Sequence, residues 1–225
     1  MSVYAISDLH GYYKIYEQVN NFIKPDDKVI CLGDCGDRGP QPWKTIKAVL
    51  TNPQWTYLKG NHEDMLVKAV MEYTNADSYT NDALSLLYWN SGERTFCECM
   101  EDDEKRSLYI NELKKLPQYV IYCNSKSTIY LSHAGCTPPV NTEDITENNF
   151  LWNRNHFFDK WDEEKYPNLV FVHGHTPLWS IDRSLPLKAY WYANGHKVNI
   201  DLGGFRTGKF CLLNLDTYEE HIFEA

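Results

Sequence analysis

Short apolar runs separated by polar turns recur along the chain, and the first three are each followed by a stretch with helical spacing. Residues 3–6 (Val-Tyr-Ala-Ile), 29–32 (Val-Ile-Cys-Leu) and 55–58 (Trp-Thr-Tyr-Leu) read as buried strands. Amphipathic spacing predicts helices over 12–22 and 43–50, the second broken by Asn52-Pro53, and a third over 64–73. Such alternation points to an α/β fold. From 75 to about 117 the strand signal fades. Leucines and aromatics at helical spacing, with a charged run at 101–106, predict a helical insertion, simplest as a packing layer. Strands resume at 119–122 and 128–131, joined by a hairpin-like turn at 124–127, and again at 169–172. The last group is 188–191, 198–201 and 210–215, with Asn194-Gly195 as a hairpin signal. With no repeat, linker or low-complexity tract, a single domain over 1–225 is expected.

The ends of these runs carry the chemistry. Asp8 and His10 follow the first. Asp34, Asp37 and Arg38 follow the second, within the glycine-rich turn 33–39. Asn61 and His62 follow the third, and His133 and His175 follow two later runs. In an α/β sheet the carboxyl ends of the strands line the crevice where ligands sit. Each motif alone could be a helix cap or a surface ion pair. Five strands sharing that coincidence argue instead for one site, and four of the eight histidines fall in these motifs. Asp8 and His10, two apart, point the same way from extended backbone and could serve one cation together. A donor set of Asp, His and Asn suits Mn, Fe or Zn better than Ca.

Composition narrows the picture. A length of 225 residues suits one domain with a full core. A net charge of −9 argues against generic nucleic-acid binding and would repel phosphorylated substrates. Phosphate chemistry would therefore need local positive charge from metals or arginines. No apolar run approaches a membrane span and no signal peptide follows Met1, so neither nucleic acid nor membrane is an expected partner. Seven cysteines without a CxxC pair suggest free thiols in a reducing cytoplasm rather than a zinc knuckle.

The motifs DLHG at 8–11, GDCGDRG at 33–39, GNHE at 60–63, SHAG at 132–135 and GHTP at 174–177 together resemble the calcineurin-like metallophosphoesterases. LWNR at 151–154 and IDLGG at 200–204 are similar to the compact bacterial and phage type of serine/threonine phosphoprotein phosphatase. The resemblance implies two mixed β-sheets packed as a sandwich flanked by helices, with the site at one edge. It implies two divalent metal ions, manganese first, with iron, zinc, magnesium or nickel as alternatives. Asp8, His10 and Asp34 would hold one ion; Asp34, Asn61, His133 and His175 would hold the other. A bridging hydroxide would be the nucleophile. His62 would be the general acid, oriented by Asp37, and Arg38 and Arg154 would clamp the phosphate.

Some positions depart from the family pattern. Ser7 stands where Gly is frequent. Gly36 replaces a β-branched residue and suggests a looser turn around Asp37. Ala134 stands where eukaryotic members have Gly. His173 has no clear counterpart and is expected to be a packed or solvent-facing residue, and Cys35 is expected to be an inert small residue near the metals. The activity implied is a protein serine/threonine phosphatase, with phosphotyrosine a further candidate substrate. The partner would then be a phosphorylated protein or peptide, or a small phosphoester. A symmetrical bis(5'-nucleosyl)-tetraphosphatase is the alternative, because residues 133–138 resemble that branch, although Asp37 and Glu63 fit the protein phosphatases better. A non-catalytic phosphate-binding module is the third reading.

Overall fold

A computed structural model describes residues 1–75, 80–135, 150–158, 161–162 and 164–225. Its first sheet has the strand order β10-β9-β1-β2-β3, built from β1 (Val3–Ile6), β2 (Lys28–Cys31), β3 (Trp55–Tyr57), β9 (Lys209–Asn214) and β10 (Glu220–Glu224). The second has the order β4-β5-β6-β8-β7, from β4 (Tyr119–Cys123), β5 (Thr128–Ser132), β6 (Leu169–His173), β7 (Tyr190–Tyr192) and β8 (Lys197–Asn199). Both are mixed. β1, β2 and β3 run parallel, as do β5, β6 and β8, while β9, β10, β4 and β7 pair antiparallel.

The apolar runs are continuous because both faces of the central strands are buried. Val3 and Ala5 of β1, with Ile30 and Leu32, pack against Ile129, Leu131, Val170 and Val172 of the other sheet. The alternate residues Tyr4, Ile6, Val29 and Cys31 face a second core beneath α1 (Tyr13–Phe22), α2 (Pro42–Thr51) and α3 (Asn61–Thr74). On the outer side of the second sheet, Phe150 packs on Phe171, with Tyr130 beside them. The expected sandwich of two mixed sheets with flanking helices is what forms.

The region 75–117 contains α4 (Asp82–Trp89), α5 (Glu93–Glu101) and α6 (Arg106–Lys114). They lean on α2 and α3 through Leu87, Phe96, Cys99, Ile110 and Leu113, all in the core on that side of the first sheet. One helix and two strands differ from expectation by two or more residues at an end. The third helix begins at Asn61 rather than at 64, so Asn61 and His62 form its first turn. The strands expected at 188–191 and 198–201 form at Tyr190–Tyr192 and Lys197–Asn199, because Ala193, Asn194 and Gly195 all take positive φ in the turn between them. β10 has no counterpart in the sequence reading.

Candidate active site

Four donors converge where the two sheets meet. His133, leaving β5, donates from Nδ1 to the Leu32 carbonyl at 2.9 Å, so its Nε2 faces inward. That nitrogen lies 2.8 Å from Asn61 Oδ1, 3.1 Å from His175 Nδ1 and 3.4 Å from Asp34 Oδ2. His175 Nδ1 is in turn 3.0 Å from Asn61 Oδ1. These are lone pairs facing lone pairs, and only a proton or a cation relieves such a cluster. The acid–base balance says the same. Burial alone would lower the His133 pKa, but Asp34, then Asp8, push it up to about 9. Burial would raise the Asp34 carboxyl, yet His133 and His62 hold it well below its ordinary value. His175 is driven down by burial and then by His133, leaving it a neutral imidazole fit to ligate.

A second cluster shares Asp34. His10 donates from Nδ1 to the Gly36 carbonyl at 2.9 Å, and its Nε2 lies 3.9 Å from Asp34 Oδ2 and 3.8 Å from Asp8 Oδ1. His62 Nε2 is 3.8 Å from the same Asp34 oxygen. Asp8 accepts the Ser7 hydroxyl and the His175 backbone N–H, the latter at 3.0 Å. Thus Ser7, the departure from glycine, orients a candidate ligand. Close ligand-competent atoms form two groups, His10/Asp34/His62 and Asp34/His133/His175, with Asp34 common to both. The donors fit a pair of divalent cations, with Asp34 placed to bridge them.

His62 and Asp37 form a separate hydrogen-bonded pair, with Nδ1 2.5 Å from Oδ2. Burial pulls the His62 pKa down, but Asp34 and Asp37 outweigh it and favour the protonated ring. Asp37 is fixed from the insertion: its N–H donates to Thr95 Oγ1 at 2.9 Å, and the Thr95 hydroxyl donates to its carboxylate. The turn at Gly36 is therefore not looser. A Cβ there would lie 2.8 Å from Ile46 Cδ1, so the missing side chain admits a close approach by α2 and α5. The insertion does more than pack, since α5 holds the partner of His62. Arg38 lies against the second cluster, with guanidinium nitrogens 2.6 Å from His10 Nε2 and 3.0 Å from His62 Nε2 and its guanidinium 4.4 Å above the Phe205 ring.

The ligand loops are held under strain. Asp8, His10, Asp34, Asp37, Arg38 and His175 all have positive φ, between 42° and 66°. Non-glycine residues in that region cost about 1–3 kcal/mol each and persist only where the surroundings enforce them. Glu63 is one enforcer. Its carboxylate accepts from the N–H groups of Asp34, Cys35 and Gly60 at 2.8, 2.9 and 2.9 Å, and from the Tyr57 hydroxyl at 2.6 Å. Glu63→Gln would turn an amide NH2 toward some of these donors. We expect a loss of about 2–4 kcal/mol in denaturant unfolding; unchanged stability would mean this brace carries no weight. Gly60 leaves the room Asp34 needs, because a Cβ there would collide with Asp34 Oδ1 and its backbone nitrogen.

Arg154 reaches the site from the other side, 3.0 Å from Thr176 Oγ1. Of the two placements expected for His173, packed or solvent-facing, the structure has the packed one. The residue is fully buried, with Nε2 2.8 Å from the Tyr192 hydroxyl. The Cys35 thiol points away from the ligands, 3.3 Å from Cys31 Sγ; burial, and then Cys31, push its pKa well up, in keeping with an inert role. All ten candidate residues thus lie around one centre. Glu63, Thr95 and Phe205 were not assigned these roles from sequence. Glu63 alone left a signal, as an acidic residue at the third position of a helix capped by Gly60. Residues 136–138 of the stretch resembling the tetraphosphatases lie outside the described residues.

The chain is similar to known proteins across most of its length. It is 23% identical to serine/threonine-protein phosphatase 2 of Escherichia coli K12 over 156 residues, which is 67% of this chain and 66% of that relative. In structure it resembles a candidate diadenosine tetraphosphatase (TM-score 0.65, 14% identity, 99% of this chain and 93% of the other). It also resembles a cold-active protein-tyrosine phosphatase of a Shewanella species (0.60, 15%, 99% and 77%). A metallophosphoesterase from Sphaerobacter thermophilus is equally similar (0.60, 16%, 100% and 88%). At these identities the structures show a shared fold. Residues 1–204 match the calcineurin-like phosphoesterase family, and with two mixed sheets converging on paired Asp, His and Asn donors, the chain belongs to that family.

Proposed function

We propose that the protein is a metal-dependent phosphomonoesterase that removes phosphate from phosphoserine and phosphothreonine in proteins. The buried His62–Asp37 pair carries the reading. An alkoxide leaving from serine is strongly basic and needs a proton as its bond to phosphorus breaks. A leaving phosphate group, with a second pKa of about 6, needs little help. An imidazole held by a carboxylate, itself fixed by Thr95, suits the harder departure.

Two divalent cations held by the Asp34-centred donors would supply a water of lowered pKa and offset charge on the phosphoryl oxygens. Manganese, iron and zinc suit the mixed oxygen and nitrogen donors best. The chain's own residues do the rest. Arg38 and Arg154 bind phosphoryl oxygens, His62 gives the Nε2 proton to the leaving oxygen, and Asp37 keeps hold of the Nδ1 proton. The partner on this reading is a phosphorylated protein. The six described cysteines are free thiols, compatible with a reducing cytoplasm, and no helix among the described residues is long and apolar enough to cross a membrane.

The test is a side-by-side assay of metal-stripped protein with Mn²⁺ restored. We expect faster phosphate release from phosphoserine and phosphothreonine peptides than cleavage of diadenosine tetraphosphate, with a phosphotyrosine peptide as a third substrate. Faster dinucleotide cleavage would replace this reading with the tetraphosphatase one. Metal bound without turnover of any of the three would point to the phosphate-binding module.

A further inference from the structure

A cavity of about 860 Å³ opens beside the phosphate clamp. Arg154 and Thr176, hydrogen-bonded to each other, line it, and Thr176 directly follows the candidate ligand His175. The cavity therefore adjoins the candidate active site through Arg154. Its other walls are largely aromatic. Phe157 stacks on Tyr192 with ring centroids 5.0 Å apart, and Tyr192 stacks on Tyr190 at 5.6 Å, so three rings form one ladder. Tyr190 and Tyr192, two apart on β7, present their rings to one face. The Tyr192 hydroxyl is pinned between His156 Nδ1 at 2.9 Å and His173 Nε2 at 2.8 Å, so the ladder is fixed before anything binds. Phe158 also lines the cavity and is 88% exposed, a large apolar ring with little cover.

The lining chooses among occupants. Among the described residues that line it, Arg154 is the only charged one and none carries a carboxylate. Apolar aromatic walls with a few polar groups favour a flat, neutral ring. A nucleobase would stack as well, but it arrives on a polyphosphate. Those charges would run past described walls that offer Arg154 as their one cation, on a chain of net charge −9. An aromatic side chain on a peptide brings no such charge.

We propose that this cavity is the subsite for an aromatic side chain of the substrate, flanking the phosphorylated residue, so that the enzyme selects phosphopeptides with a nearby Phe, Tyr or Trp. The proposal rests on the phosphoprotein-phosphatase reading above.

The experiment uses the Mn²⁺-loaded full chain and phosphothreonine peptides. One peptide has alanine on both sides, and the others carry a single Trp at successive flanking positions. At the best position Trp is expected to raise kcat/KM about tenfold over the alanine peptide, the ratio that roughly 1.4 kcal/mol supplies. In Tyr190→Ala and Phe158→Ala that ratio should fall toward one, while Tyr190→Phe should keep it. A wild-type ratio near one at every position overturns the proposal, as does a ratio unchanged by both alanine variants. Diadenosine tetraphosphate is the second arm. If Tyr190→Ala slows its cleavage and leaves the peptide ratio intact, the cavity is a nucleobase subsite and the proposal fails. If wild type cleaves the dinucleotide and no peptide, the phosphoprotein-phosphatase reading falls, and the subsite with it. Peptide turnover indifferent to aromatic neighbours removes the subsite alone.

Discussion

Asp34→Asn is expected to lose bound metal and phosphate release together, with activity down on the order of 10³-fold or more. The two carboxylate oxygens of Asp34 have different tasks. Oδ1 accepts the His62 backbone N–H at 3.0 Å, at the first turn of α3. Oδ2 lies 3.4 to 3.9 Å from the Nε2 atoms of His133, His62 and His10. Asparagine can keep the first contact. At the second it substitutes an NH2, which can hydrogen-bond to an imidazole nitrogen but offers a cation neither lone pair nor charge. The fold should survive and the bridge should not. Metal content by elemental analysis, circular dichroism and phosphate release, measured on one preparation, separate the outcomes. Two equivalents of metal retained with activity lost would move Asp34 from holding cations to the chemistry itself. Unaltered activity would refute the assignment.

His62→Asn should keep metal and lose turnover, by about 10²–10⁴-fold for an alkyl phosphate such as a phosphoserine peptide. For an aryl phosphate with a nitrophenolate leaving group, the loss should stay within about tenfold, because that group departs with little protonation. The contrast between substrates is the signature of a general acid, and a merely structural role would depress both alike. The backbone N–H of residue 62 remains to hold Asp34, and Thr95 remains to hold Asp37, so the rest of the site keeps its supports. Equal losses on the two substrates would sink the assignment.

Much of this was legible before any coordinates. Strands buried on both faces give unbroken apolar runs, and polar groups at their ends stand out against them, so Asp8, Asp34, His133 and His175 could be read off locally. What escaped depends on contacts between distant segments. Thr95 reaches Asp37 across 58 positions, and nothing near either residue announces it. Gly36 read as slack, yet the space it leaves is taken by Ile46. β10 is a partly exposed edge strand on which Glu220, His221 and Glu224 mask the alternation. The aromatic ladder draws Phe157 from one segment and Tyr190 and Tyr192 from another, a pairing that only the fold creates.

The division of the donors between the two sheets has a mechanical side. Asp8, His10, Asp34, Asn61 and His62 follow strands of the first sheet, while His133 and His175 follow strands of the second. Cations bound by both sets would act as rivets between layers otherwise joined by the apolar interface of Ala5, Leu32, Leu131 and Val172. Anything that binds the folded chain and not the unfolded one adds its binding free energy to stability. Cation capture would on this view tighten the hold between the sheets, and a chelator would weaken the seam at the place where the chemistry is done.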